Sequence, residues 1–207
     1  PTTSASYGFR LVLNLTSPSD LTPPIHNTYL NLAHIGPAQN RAIALPTPGP
    51  IFYQNGTSSA SSLSFTTTLT DGGTPPFPEG ITYSQLPNST QGAAVFITAG
   101  SGAQNVKLTR LFNPLSYLTV LDEVVGSTFV VCDGRVEYYG EKEFQVINWV
   151  TTTRDATGMH LVVPEGCVGV NLVPECAVLE ALPGDARASH EWAQEVRCYE
   201  DVKGVGW

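Results

Sequence analysis

Residues 129–150, FVVCDGRVEYYGEKEFQVINWV, constrain the fold more than any other stretch of the chain. Residues 129–132 are β-branched and apolar, and residues 135–139 alternate Val136 and Tyr138 against Arg135 and Glu137. Between them lies Asp133-Gly134, the dipeptide best able to take the positive φ angles of a type I′ hairpin turn. After Gly140-Glu141-Lys142 a third run, residues 144–150, puts Phe144, Val146 and Asn148 on one face. Gln145, Ile147 and Trp149 take the other. The pattern predicts a β-meander, and it contains no catalytic signature.

The rest of the chain repeats this short-strand rhythm. Alternating or β-branched runs at residues 7–15, 29–35, 41–45, 51–53, 63–69, 93–98, 106–111, 117–121, 159–163 and 168–172 predict strands. Residues 93–98 and 106–111 are expected to pair as a hairpin. Residues 71–80, DGGTPPFPEG, hold too much Gly and Pro to continue a strand or helix and are expected to form a surface loop. One short helix is expected near residues 189–197, with Trp192 and Val196 on one face and Ser189 as cap. The 19 glycines and 16 prolines suit a strand-and-loop protein. The expectation is therefore a single all-β domain over residues 1–207: a disulfide-bonded β-barrel or β-trefoil-like fold with long loops and one short C-terminal helix.

Charge is placed unevenly. Residues 1–120 carry net +1 and residues 121–207 net −9, giving −8 overall. An acidic half repels phosphate backbones and argues against nucleic acid as a partner. No apolar run approaches the 18 or more residues of a membrane helix, so no membrane span is expected. Pro1 in place of Met reads as a chain whose signal peptide has been removed.

Cys132, Cys167, Cys176 and Cys198 form an even set, which in a secreted chain implies two disulfides. Four cysteines allow three pairings. Cys167 and Cys176 lie in one local excursion and are expected to close a small ring, leaving Cys132 to tie the C-terminal segment through Cys198. Three Asn-x-Ser/Thr sequons, at Asn14, Asn55 and Asn88, add to the case for a secreted glycoprotein. Asn14 is expected on the solvent face of its strand.

Candidate chemistry is thin. The cysteines lack Cys-x-x-Cys spacing, and His26, His34, His160 and His190 lack the spacing of a metal site, so no metal or cofactor is expected. Gly100-Ser101-Gly102 lacks the Lys-Ser/Thr of a phosphate-binding loop, and no Gly-x-Ser-x-Gly elbow is present. Gln194-Glu-Val-Arg-Cys198 echoes the wedge of cystatin-type inhibitors without its terminal Gly and is read as coincidence. Asp122, Glu123, Glu137 and Glu143 are carboxylates that only a folded cleft would turn into an acid–base pair. Tyr138, Tyr139 and Trp149 are aromatics that stack on sugars when exposed and fill cores when not.

Three passages, YGFRLVLNLTSPSDLTPPIHN, FVVCDGRVEYYGEKEFQVINWV, and PEGCVGVNLVPECAVLEAL with SHEWAQEVRCYEDV, resemble a family of secreted ascomycete proteins of undefined function. The resemblance implies a fungal protein exported to the cell wall or apoplast, possessing no active-site residues to transfer, and related to effectors of plant infection. The leading expectation is a non-enzymatic interaction protein that inhibits an extracellular host hydrolase, with a papain-like cysteine protease as the most concrete target. Its binding loop would be Gly72, Gly73, Pro75, Pro76, Phe77 and Pro78, with Phe77 as apolar anchor between prolines that limit the entropy lost on binding. The alternatives are a cell-wall glycan-binding protein using exposed aromatics and a secreted hydrolase with scattered catalytic groups.

Overall fold

The computed structural model describes residues 2–56, 66–87, 89–104, 106–109, 117–120, 127–155 and 158–204. A short strand β1 (Thr3–Ser6) precedes three units of four strands. The first unit is β2 (Gly8–Leu15), β3 (Tyr29–Gly36), β4 (Gln39–Leu45) and β5 (Phe52–Asn55). The second is β6 (Thr67–Gly72), β7 (Phe77–Gln85), β8 (Ala93–Ala99) and β9 (Val106–Thr109). The third begins with β10 (Tyr117–Val120), β11 (Ser127–Arg135) and β12 (Glu143–Asp155). It then passes through a side strand β13 (Gly158–Leu161) to β14 (Cys167–Ala177). Two short strands, β15 (Ala193–Gln194) and β16 (Val196–Tyr199), follow.

The outer strands of the three units form a barrel. Ladders join β2 to β5, β5 to β6, β9 to β10, β10 to β14 and β14 back to β2. Between β6 and β9 the Thr68 hydroxyl donates to the Val106 carbonyl at 2.9 Å. The inner hairpins β3–β4, β7–β8 and β11–β12 form a cap, meeting one another through β4–β8, β8–β12 and β12–β4 pairings. Three repeats of a four-strand unit around one axis are the plan of a β-trefoil, and the fold is all-β as the strand pattern implied. Phe9, Leu11, Leu13, Phe52, Ile81, Ile97, Val131, Ile147 and Leu172 fill the interior. Each such side chain contributes roughly 1.5–3 kcal/mol by leaving water.

Several local expectations are overturned. Asp133-Gly134 is not a turn: the β11–β12 ladder runs through it, with Asp133 opposite Gln145, Gly134 opposite Phe144 and Arg135 opposite Glu143. Gly134 stands where a Cβ would crowd Val146 at 3.0 Å. Residues 135–139 therefore form no separate strand; a 3₁₀ turn at Glu137–Tyr139 reverses the chain, with Gly140 at φ +62°. Residues 71–80 are not a long loop either. Asp71 and Gly72 end β6, Phe77 begins β7, and a four-residue turn joins them, with Gly73 at φ +74°.

The hairpin expected between residues 93–98 and 106–111 is absent. Gly102 settles against Gly80, where a Cβ on Gly80 would meet its nitrogen at 2.2 Å, and β9 is carried away to pair with β10. The short C-terminal helix is also absent. Residues 193–194 pair with β5 and residues 196–199 with β1, while the Ser189 hydroxyl accepts from Glu191 N at 3.2 Å in a local turn. So short a helix is marginal alone, and two unpaired sheet edges offer its backbone better partners.

The disulfides pair Cys132 with Cys167 and Cys176 with Cys198, correcting the expected pairing. Cys167 and Cys176 sit at opposite ends of one continuous strand, β14, about 30 Å apart at roughly 3.3 Å per residue. No small ring can close between them. Cys132 lies directly across the β11–β14 ladder from Cys167, and β16 runs alongside the end of β14 that holds Cys176.

Candidate functional site

The cap is organised on one buried cation. Arg41 lies on β4 next to the pseudo-threefold axis and is only 5% exposed. Its Nη1 donates to the Val95 carbonyl of β8 and the Ile147 carbonyl of β12, each at 2.6 Å, and to the Ala42 carbonyl at 3.3 Å. Its Nη2 donates to Asn148 Oδ1. One planar guanidinium thus bridges all three cap hairpins, a geometry that a lysine cannot reproduce. Burial pulls its pKa down to about 10.

From this cap the β11–β12 hairpin projects, and its tip is aromatic. The 3₁₀ turn exposes Tyr138 at 61% and Tyr139 at 36%. The rings continue as a ridge. His34 meets Tyr138 edge-on at 5.7 Å, Tyr138 meets Tyr139 at 5.3 Å, and Tyr139 meets Phe144 at 5.1 Å. Lys142 Nζ stands 4.8 Å from the Phe144 ring centre and 5.8 Å from that of Tyr139. An open cavity lies on each side of the ridge. One, of about 580 Å³, is lined by Tyr138 with Gln39, Arg41, Phe96, Arg135 and Glu137 among others. The second, of about 460 Å³, is lined by Tyr139, Lys142 and Phe144 with Pro23, Leu45 and Asp133 among others. Both fall within the size range of small-molecule sites, roughly 300–1,000 Å³.

The ridge is held stiffly. Cys132–Cys167 staples β11 to β14 three residues before the end of β11. The facing loop at residues 20–26 is folded around Asp20, whose carboxylate accepts from the backbone of Leu21, Ile25 and His26.

A second polar cluster lies away from the ridge. His190 Nε2 bonds Asp71 Oδ2 at 2.8 Å, Tyr53 Oη donates to Asp71 Oδ1 at 3.4 Å, and the Tyr53 and His190 rings pack at 4.8 Å. Burial beside Asp71 raises the Tyr53 pKa. Pro76 O accepts from Arg187 N at 2.7 Å and from Ala188 N at 3.1 Å, so the C-terminal segment is strapped across the β6–β7 turn.

That strap bears on the proposed binding loop. Gly73 and Thr74 are exposed, whereas Gly72, Pro75, Pro76, Phe77 and Pro78 are half-buried. The Phe77 ring folds back over Gly73, where an added Cβ would meet its Cε1 at 2.1 Å. The other candidates are scattered. Asn14 is 2% exposed within β2, opposite Asn171 of β14, rather than on a solvent face. Asn55 sits in β5 with its Oδ1 buried and without a hydrogen-bond partner, and Asn88, Asp122 and Glu123 fall outside the described residues. Trp149 is only 8% exposed and packs on Tyr83 at 4.6 Å, so it belongs to the core and not to the ridge. His26 and His34 are exposed on separate loops and strands, and Glu137 and Glu143 flank the ridge on opposite sides. Among the described residues no three His, Cys, Asp or Glu side chains are grouped to hold a metal ion.

Tyr138 and Tyr139 are marked in the sequence as aromatics; their exposure follows from the 3₁₀ turn that the Asp-Gly signal concealed. Arg41 has a fainter signature: a lone cation opening the apolar run RAIAL in a half of the chain with few charges.

A family profile described as a domain of unknown function (DUF7907) matches residues 6–176. The chain belongs to that family. The DUF7907 match runs from the last residue of β1 to the penultimate residue of β14 and so takes in the twelve strands of the three units, leaving out β15 and β16. A relative, "Antigenic protein SchS34" of the fungus Stachybotrys chartarum, is 38% identical over 209 residues, covering 100% of this chain and 92% of its own length. No solved structure matches the chain.

Proposed function

We propose that this DUF7907 protein is an extracellular fungal interaction protein that binds glycans along the Tyr138–Tyr139 ridge. The single observation that carries the reading is the ridge itself: contiguous exposed rings between two open cavities, on a hairpin stapled by a disulfide. Sugar rings present C–H faces that stack on aromatic side chains, and a rigid platform loses little entropy on binding. The Arg41 clamp and the Cys132–Cys167 staple supply that rigidity. Two disulfides and a fungal relative described as antigenic support an extracellular setting. No helix among the described residues is long and apolar enough to cross a membrane.

The inhibitor reading receives less support from the geometry. Its turn is four residues long, its Phe77 is folded inward, and its Pro76 carbonyl is occupied by the C-terminal strap.

The test is retention on insoluble fungal and plant cell-wall polysaccharides, followed by titration with soluble oligosaccharides of whichever polymer retains the protein. Tyr138→Ala and Tyr139→Ala should each weaken binding about tenfold, as expected for one aromatic stacking contact. Retention of full affinity by the double variant would remove the ridge from the mechanism.

A further inference from the structure

We propose that the cavity beside Tyr138 selects saccharides bearing a carboxylate. This inference rests on the glycan reading above and adds the chemical class of the sugar. The residues that line the cavity include two arginines, Arg41 and Arg135, and one acid, Glu137, with Glu141 paired to Arg135 at the rim. An even balance of charge there contrasts with the net −8 of the whole chain.

The two cations differ in kind. Arg135 is exposed and pairs with Glu141, which is itself largely in water, so their mutual attraction is screened. Arg135 is therefore free to exchange that partner for a ligand at little cost. Arg41 is buried, and the groups it bonds are three carbonyls and the Asn148 amide, all neutral. Its charge is oriented by the cap without being neutralised by a carboxylate. The ring of Phe96 lies under it, 5.3 Å from the guanidinium carbon, and shields that side from water. A fixed cation in a poorly hydrated wall attracts an anion more strongly than an exposed one does.

The ligand that answers this geometry has an apolar face to lie on Tyr138, hydroxyls to meet Gln39, and an anionic substituent directed at the two arginines. A uronic or sialic acid residue meets all three requirements. A carboxylate suits the planar fork of Arg135, with charge-assisted hydrogen bonds about twice as strong as neutral ones, while Arg41, its Nη atoms already bonded within the cap, adds the field of its charge. Glu137 and Glu141, both exposed at the rim, oppose the approach of an anion only through water-screened repulsion.

The experiment compares acids with neutral counterparts. Trigalacturonate is titrated against its methyl ester, and 3′-sialyllactose against lactose, by calorimetry at low salt. At least one acid should bind about tenfold or more tightly than its neutral partner, and 0.5 M NaCl should narrow the gap. The acid that binds identifies the source, hexuronate or sialoside. Arg135→Gln should cut the acid preference, the ratio of acid to neutral affinity, about fivefold; Tyr138→Ala should weaken acid and neutral sugars alike. Circular dichroism confirms that both variants fold, and neither disturbs the Arg41 clamp. Equal affinity for acid and neutral forms, or an undiminished preference in Arg135→Gln, overturns this inference and leaves the glycan reading standing. Failure of every saccharide to bind, acid or neutral, overturns both.

Discussion

Replacing Arg41 by Met tests whether one guanidinium holds the three hairpins of the cap together. Met spans similar length and fills the channel with a flexible apolar chain, but it donates nothing. The Val95 and Ile147 carbonyls and Asn148 Oδ1 would each lose a donor inside the protein. An unpaired buried acceptor costs about 1–3 kcal/mol, so three of them give about 3–6 kcal/mol, the lower end being apt because a carbonyl has a second lone pair. Against this, the variant is spared the burial of a cation. The fall of the Arg41 pKa from 12.5 to about 10 corresponds to about 3 kcal/mol. The net expectation is a loss of about 0–3 kcal/mol, or up to roughly 12 °C in Tm for a chain of this size. Arg41→Lys should lose more than Arg41→Met, because it keeps the buried charge and reaches fewer acceptors. Equilibrium unfolding in guanidinium chloride at pH 7, with disulfides intact, measures both. An Arg41→Met protein more stable than the parent would refute the clamp as a net source of stability.

Two further outcomes follow from the structure. Glu79 is buried on β7, with Asn40 Nδ2 3.4 Å from each of its carboxylate oxygens, and burial raises its pKa, opposed by His34 and Asn40. A raised carboxylate pKa stabilises the fold while the group is protonated, and that contribution is lost as pH rises through the folded-state value. Glu79→Gln should therefore gain stability relative to the parent as pH goes from 4 to 7, read from urea midpoints; a constant difference across that range would refute the assignment. The Cys176–Cys198 bond closes a loop of 22 residues, worth about 3 kcal/mol in the chain-entropy account. The Cys176→Ser/Cys198→Ser double variant should lose about that much, with hydrogen exchange rising across residues 187–199 while the ridge stays protected. Faster exchange at residues 137–144 would show that the strap and ridge are coupled.

The sequence exposed the strands more clearly than their partners. Period-two alternation at residues 7–15 and 29–35 located β2 and β3 because each has an apolar face turned to the interior. Turn chemistry misled at two places where Gly serves close packing. Gly134 admits Val146, and Gly73 admits the Phe77 ring. Neither need is visible without the neighbouring strand. Pro174 similarly suggests a break, yet it lies inside β14 opposite Leu11, so the single long strand that separates Cys167 from Cys176 could not be read. The threefold plan was hidden because the units share pairing geometry without sharing residues. Arg41 illustrates this: the first unit alone supplies the cation, and the other two supply carbonyls. Of the site, Tyr138 and Tyr139 were legible as aromatics, but their prominence depends on where the hairpin reverses.

Strand β14 holds both disulfides and seals the barrel by pairing with β2, more than 150 residues earlier in the chain. During synthesis β2 must therefore wait, one edge open, until nearly the whole chain has emerged. Such distant pairing makes folding slow and leaves β-edges open to wrong partners in the interval. Oxidation at both ends of β14 then converts a late and easily reversed docking step into a covalent seam. In the extracellular setting proposed above, where no chaperone offers a second attempt, resistance to reopening matters more than the depth of the equilibrium well.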